Sequence, residues 1–320
     1  MRLCEHPDFE QAVLNAAEHF KEQGLRPAVI EKDYYVTEAL RLIAEAAGNH
    51  VIFKGGTSLS KGWGLINRFS EDIDLFLDPQ SFDPPPGKNK LDKKLKNLRD
   101  AVNSHPQLTF LKDKSTTTGG VGRSDRFAYK QLFGGPGEVI GSILLESGTA
   151  SGRLPTETVP LRSLLSQFLE ETGTSLGADD EHGFPFCLLH FRRTFVEKMF
   201  AIHSKVELLK EKNQPLGTQA RHYYDLCQLS DTPQVMAMLQ SDEYSEIKTD
   251  YDAISSTHFG RDYRPPEGLS FAKSDALFPT GELSDAIRKE YEEQCKLLCY
   301  GDYPSWDEVQ SKLASLRELL

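Results

Sequence analysis

Apolar positions recur at helical spacing at the start of the chain, where Phe9, Ala12, Val13, Ala16 and Phe20 share one face until Gly24 and Pro27 end the run. A second helix is predicted from about Ile30 to Ala47, with Val36, Leu40, Ile43 and Ala44 on its apolar side. The period then shortens. Val51-Ile52-Phe53 reads as a strand running into Gly55-Gly56, and Thr57 to Trp63 as a short helix capped by Thr57 or Ser58. Ile73 to Leu77 reads as a second strand, stopped by Asp78-Pro79. Residues 79–90 are proline-rich and polar, a loop, and residues 90–102 form a basic helix. Phe127–Leu132 and Val139–Glu146 read as strands joined by the Gly134-Gly135-Pro136-Gly137 turn, and Pro160–Glu170 as a helix before a loop at Gly173–Asp180. From about Phe186 the spacing is mainly helical, over Leu188–Lys210, Gln219–Leu229, Gly281–Cys299 and Ser305–Leu320. The predicted architecture is α/β (α+β), with an N-terminal α/β domain over residues 1–160 and a mainly α-helical C-terminal domain over 161–320.

Composition narrows the class. The 320 residues are 38% apolar and 27% charged, the balance of a folded globular protein. No stretch reaches the ~18 uninterrupted apolar residues of a membrane span. The opening Met1-Arg-Leu-Cys-Glu-His has no basic segment followed by an apolar run, so a soluble, cytoplasmic protein with no membrane partner is expected. Five cysteines (Cys4, Cys187, Cys227, Cys295 and Cys299) are too few and too irregular for a disulfide framework or a zinc site, and read as reduced thiols. A formal charge of −11 argues against nucleic-acid binding over the whole surface while leaving room for a local basic patch.

The chemistry concentrates between Phe53 and Leu77. Glycines 55 and 56 follow a strand and open a helix, where absent Cβ atoms let the backbone approach an anion and unpaired N–H groups face it. Thr57 and Ser58 add hydroxyl donors. The spacing of a P-loop or of a dinucleotide fold is absent. Asp72 and Asp74 lie two apart in a strand and so share a face. Adjacent carboxylates repel unless cations neutralise them, and a pair of magnesium ions about 3.5–4 Å apart clamping a phosphate would do so. A lone Asp-x-Asp is commonly an exposed strand edge; the glycine pair just upstream turns the reading toward a metal–phosphate site.

These motifs resemble the DNA polymerase β-like nucleotidyltransferase superfamily, and within it the AbiEii/MenT-type toxins of bacterial toxin–antitoxin systems. The resemblance rests on Gly55-Gly56-Thr57-Ser58-Leu59-Ser60-Lys61, on Arg68-Phe69-Ser70-Glu71-Asp72-Ile73-Asp74-Leu75 and on Glu31-Lys32-Asp33-Tyr34. In the helical half it continues through Val196-Glu197-Lys198-Met199-Phe200-Ala201 and Arg221-His222-Tyr223-Tyr224-Asp225-Leu226, covering about residues 30–230 in the expected order. It implies a polymerase-β-like core with a small mixed sheet plus the helical C-terminal domain. It also implies an NTP-dependent, metal-dependent nucleotidyltransferase that uses Mg²⁺ or Mn²⁺ and moves NMP from NTP to an acceptor, the tRNA 3′ end first among them. A cognate antitoxin would be a partner of such a type IV-like toxin.

Carried over by position, Asp72 and Asp74 would hold the metals, with Glu146 as a third carboxylate. Gly55, Gly56, Thr57, Ser58 and Lys61 would bind the nucleotide, while Lys198 and Asp225 would complete the catalytic group from the helical domain. Read without the resemblance, Lys198 is a solvated helix lysine and Asp225 either a cap or a partner of Arg221. Between Lys88 and Arg99 stand six cations (Lys88, Lys90, Lys93, Lys94, Lys96 and Arg99) against the single acid Asp92. This run follows the acid strand, so it is expected to line the cleft and contact RNA phosphates, with Arg123, Arg126, Lys130, Arg192 and Arg193 extending it and Tyr129, Tyr223 and Tyr224 as stacking surfaces. A protein or small-molecule hydroxyl as acceptor, or a nucleotide-binding module without turnover, are the alternatives.

Overall fold

The computed structural model describes residues 1–70, 72–119, 121–134 and 139–320. Glu71 of the acid motif and Gly135, Pro136 and Gly137 of the expected turn lie outside the described residues. Two helices lead the chain, α1 (Phe9–His19) and α2 (Pro27–Ala47), the second beginning with proline in its first turn, where no N–H is missed. Then come β1 (Val51–Lys54), α3 (Gly55–Lys61), β2 (Asp72–Leu77), α4 (Lys88–Asn103), β3 (Thr109–Phe110), β4 (Thr116–Thr118), β5 (Gly122–Ala128), β6 (Ser142–Gly148), β7 (Thr156–Leu161), α5 (Leu164–Glu171) and β8 (Phe184–Leu189). The sheet runs β3-β5-β6-β2-β1-β8-β7, with β4 paired to β5. It is mixed: β2 is antiparallel to β1 and parallel to β6, and β1 is parallel to β8.

Strand alternation gives this sheet two unlike faces. Val51, Phe53, Ile73, Leu75, Leu77, Phe127, Ile143 and Leu145 share one face and are each at most 2% exposed. Helices α2 and α4 pack on it. Helix α4 buries the stripe Leu91, Leu95, Leu98 and Val102, four side chains each stabilising by about 1.5–3 kcal/mol when removed from water. The Arg123–Asp125 ion pair of β5 is on the same sealed face, and it feels Asp92 and Asp100 of α4. The opposite face carries Ile52 and Phe76, clustered with Leu189 at one end, and Asp72, Asp74 and Glu146 at the other.

The Glu31-Lys32-Asp33-Tyr34 motif proves to be a buried clamp on α2. Glu31 accepts from the backbone N–H of Leu132 (2.8 Å) and Phe133 (3.0 Å), and Lys32 donates to the carbonyls of Ile140 (2.9 Å) and Ser142. Asp33 accepts from the N–H of Leu164 at 2.7 Å, and the Tyr34 hydroxyl donates to Asp180 at 2.7 Å. Four consecutive residues thus fix four distant segments to one helix.

The rest of the chain is helical: α6 (Phe191–Lys212), α7 (Arg221–Ser230), α8 (Pro233–Leu239), α9 (Asp242–His258), α10 (Gly281–Leu298) and α11 (Trp306–Ser315). Ser305 opens α11 with a reciprocal capping box to Glu308. Compact units divide as residues 1–64 with 69–189, and 65–68 with 190–320. The expected boundary at 160/161 falls inside β7, which pairs with β8 and so belongs with the sheet. The prolines of these two strands, Pro160 and Pro185, face each other in register. A proline reads locally as the start of a helix, and Pro160, read that way, hid β7.

Candidate active site

Gly55 opens α3 with φ at +77°, a backbone state that only glycine adopts without strain. A Cβ built there would sit 2.0 Å from Asp74 Oδ2. The glycine is therefore required twice, by its own backbone and by the carboxylate lying on it. Register carries the row further: Lys54 pairs with Asp74, Asp74 with Glu146, and Glu146 with Ser124. Asp72 lies one row away beside Leu144 and Arg126. That Lys54 stands in this row, and Arg126 in the row beside it, is visible only once strand register is known.

Glu146 keeps access to solvent, yet its carboxyl is pushed up to about 7, first by lost hydration and then by Asp74, which shares a hydrogen bond with it, and by Asp72. Two carboxyls close enough to share a proton carry more negative charge than the site neutralises by itself. Among the described residues no three His, Cys, Asp or Glu side chains converge as one coordinating group; the acids are lined along the face. Their chemistry nevertheless suits a divalent cation, because the donors are hard oxygens and the surplus charge is what such an ion would compensate.

Hydroxyls in the α3 turn face inward. Thr57 Oγ1 lies 2.5 Å from the Asp72 carbonyl and 2.9 Å from Ser70 Oγ, and Ser58 Oγ donates to the Gly55 carbonyl at 2.9 Å. Both residues are at most 2% exposed, so they brace the glycine turn and the acid strand. The N-cap of α3 is Lys54, and neither of the two hydroxyls caps it. Lys61 is likewise engaged, pairing with Asp33 at 2.6 Å and donating to the Arg162 carbonyl at 3.2 Å.

In the helical unit, Asp225 is fully buried and gripped by Arg68, Nε to Oδ1 at 2.6 Å and an Nη to Oδ2 at 2.7 Å. Its expected partner Arg221 is displaced by an arginine far away in sequence. Lys198 Nζ lies 2.6 Å from Asp225 Oδ2 and 3.1 Å from His222 Nδ1. Burial alone would raise the Asp225 carboxyl, but Arg68 and then Lys198 outweigh it and leave the group well below the usual aspartate range. Burial holds Lys198 below the lysine range; Asp225 opposes that, while Arg68 and Arg221 reinforce it. Burial and the neighbouring Lys198 bring His222 down to about 3, so its ring is neutral and Nδ1 accepts from the ammonium. Sequence reasoning gave no role to Arg68 or His222, although both stand inside the motifs it used.

The basic run takes a different position from the one expected. Because α4 covers the sealed face, Lys88, Lys90, Lys93, Lys94, Lys96 and Arg99 stand across the sheet from the acids rather than along them. Lys96 pairs with Asp92, Arg99 with Asp100, and Lys94 caps the Phe82 ring, while Lys88, Lys90 and Lys93 are exposed. Arg192 pairs with Glu243, and Arg193 with Glu197 and Asp250. The tyrosines expected as stacking surfaces are packed: Tyr129 on Tyr35, Tyr223 edge-on to Trp306, and Tyr224 at 1% exposure accepting from the Asn67 N–H.

A family model described as "Nucleotidyl transferase AbiEii toxin, Type IV TA system" matches residues 39–311. No curated protein matches. Among solved structures the chain is similar to MenT4, a nucleotidyltransferase toxin from Mycobacterium tuberculosis H37Rv, at 16% identity and a TM-score of 0.51, over 95% of this chain and 99% of that one. At that identity the likeness shows a shared fold.

Proposed function

The chain belongs to the AbiEii family of nucleotidyltransferase toxins of type IV toxin–antitoxin systems, and from that premise we propose that it transfers NMP from an NTP to the 3′ end of tRNA with Mg²⁺. Membership brings an NTP donor and an antitoxin partner with it; the acceptor, the metal and a cytoplasmic place of action are our reading. Among the described residues no helix is long and apolar enough to cross a membrane.

The observation that carries the proposal is the crowding of Asp72, Asp74 and Glu146 beside the Gly55 turn. A divalent cation, when bound, supplies positive charge for the phosphates and lowers the cost of deprotonating an attacking hydroxyl. Asp72, Asp74 and Glu146 are the residues to hold it. Gly55 and Gly56, at the start of α3, are assigned to the nucleotide's phosphates, and Thr57 and Ser58 support that turn from within. Lys61 supports it from the Asp33 side. Lys198 is assigned to the phosphates and Asp225 to holding it. The exposed Lys88, Lys90 and Lys93 are assigned to the body of the acceptor RNA rather than its reacting end.

Radiolabelled NTP is incubated with total tRNA and either the wild type or Asp74→Asn. Label in tRNA that depends on Asp74 is expected; equal labelling by both proteins would refute the assignment. A labelled protein band without labelled RNA would move the acceptor to a protein. Reversing charge at Lys90 and Lys93 is expected to weaken tRNA binding and flatten its salt dependence without changing the KM for NTP.

A further inference from the structure

Lys54 ends β1 one residue before Gly55, and strand register sets it opposite Asp74. Residues opposed in this way carry their side chains on one face. The row across the sheet therefore reads Lys54 on β1, Asp74 on β2, Glu146 on β6, Ser124 on β5 and Thr116 on β4. Its cation adjoins the glycine turn, and its hydroxyls stand at the other end. Every member belongs to the sheet-bearing unit.

Other cations nearby have partners. Lys61 pairs with Asp33 and donates to the Arg162 carbonyl, and Arg126, in the neighbouring row, donates to Ser142 Oγ at 3.2 Å. Lys54 is half-buried and, among the described residues, makes neither a hydrogen bond nor an ion pair. Reach is not the obstacle, because the Cβ atoms of opposed residues stand about 4.5–5.5 Å apart, within the span of a lysine side chain. A cation serving only to neutralise the acids would close on Asp74 or Glu146. Lys54 instead keeps its N–H donors uncommitted. Its charge is still felt at Glu146, where it opposes the rise caused first by lost hydration and then by Asp74 and Asp72.

In nucleotidyl transfer the acceptor hydroxyl oxygen bonds to the α-phosphorus while the bond from that phosphorus to the oxygen bridging the β-phosphate breaks. The bridging oxygen keeps the electron pair, the hydroxyl proton passes to water, and negative charge gathers on the departing pyrophosphate. Attacking and leaving oxygens lie in line on opposite sides of the phosphorus. The cationic end of the row thus suits the leaving group, and the hydroxyl end the acceptor. We propose that Lys54 contacts the pyrophosphate portion of the NTP and stabilises it as it leaves. The inference rests on the reading of Asp72, Asp74 and Glu146 as the metal-holding residues of a nucleotidyltransferase.

Full-length wild type, Lys54→Met, Lys54→Arg and Asp74→Asn are titrated calorimetrically with inorganic pyrophosphate in the presence of Mg²⁺, with kcat and KM for NTP and the unfolding temperature recorded. In Lys54→Met at a wild-type unfolding temperature, pyrophosphate affinity and kcat/KM are each expected to fall about tenfold or more, the loss of one charge-assisted contact. Lys54→Arg, which keeps the charge, is expected to recover most of both. Removing a cation that merely offsets the acids would leave pyrophosphate bound as tightly or more so. That result in Lys54→Met, or an equal loss in Lys54→Arg, overturns the inference. If Lys54→Met does not fold, Lys54→Gln takes its place under the same criteria. Wild-type binding and turnover in Lys54→Met beside an inactive Asp74→Asn leave the nucleotidyltransferase reading standing, whereas full binding and activity in Asp74→Asn overturn that reading itself.

Discussion

Replacing Gly55 by alanine tests how the acid row is built. At φ +77° an alanine pays the left-handed backbone cost of about 1–2 kcal/mol. Its Cβ would also meet Asp74 Oδ2 at 2.0 Å, Cγ at 2.8 Å and Cβ at 3.0 Å, so turning the carboxyl alone does not clear the contact and β2 or α3 must shift. Displacing an off-rotamer side chain or a strand adds about 1–3 kcal/mol, for a total loss of about 2–5 kcal/mol. Gly64 supplies the control, because it sits at φ +63° with nothing within 4 Å of an added Cβ. Gly64→Ala is therefore expected to cost only the backbone share, with nucleotidyl transfer unchanged. A carboxylate displaced by roughly 1 Å costs about 10²-fold in rate, so Gly55→Ala is expected to lose activity on that scale even where it remains folded. Thermal unfolding and NTP turnover are measured on both variants. Equal losses of stability and activity in the two would refute the idea that Asp74 lies against Gly55.

Asp225→Asn removes the anion shared by two buried cations and is expected to destabilise the helical unit by about 3–5 kcal/mol, read by denaturant unfolding; a loss under 1 kcal/mol would contradict the ion-pair geometry. His222 is neutral when folded, with its ring held near 3 against 6.5 as the reference value, so the unfolded chain binds the proton first as the pH falls. Stability from this group is whole above about pH 6.5 and declines below it, by about 2 kcal/mol at pH 5, and His222→Gln is expected to flatten that slope. Because the Glu146 carboxyl stays protonated up to about 7, Mg²⁺ is expected to raise the unfolding temperature more at pH 8 than at pH 5, and in Asp74→Asn to raise it little at either.

Helices were legible wherever one face had to be buried: α1, α2 and α4 each show their stripe in the sequence, and α4 ends within a residue or two of its predicted limits. Strands at the margin were not. Phe184–Leu189 is a continuous apolar run that local spacing cannot separate from the helix after it, and only pairing with β1 and β7 makes it a strand. At the site, Asp72 and Asp74 could be placed on one face by alternation alone. Glu146 beside them depends on parallel pairing of β2 with β6, which no local pattern encodes. The inward turn of Thr57 and Ser58 and the position of α4 behind the sheet also follow from packing. Arg68 finding Asp225 across 157 positions is likewise a property of the folded chain.

That separation has a bearing on how the polypeptide matures. Arg68 leaves the ribosome early, whereas the carboxylate it needs is translated 157 positions later, on the order of 10–30 s at typical elongation rates. Until then residues 65–68 lack the helical unit they belong to, and a fragment ending at Leu189 would lack the Asp225 carboxylate that Arg68 grips. The segment therefore reaches its full set of partners only after Tyr224, Asp225 and, last of all, Tyr300 have been made.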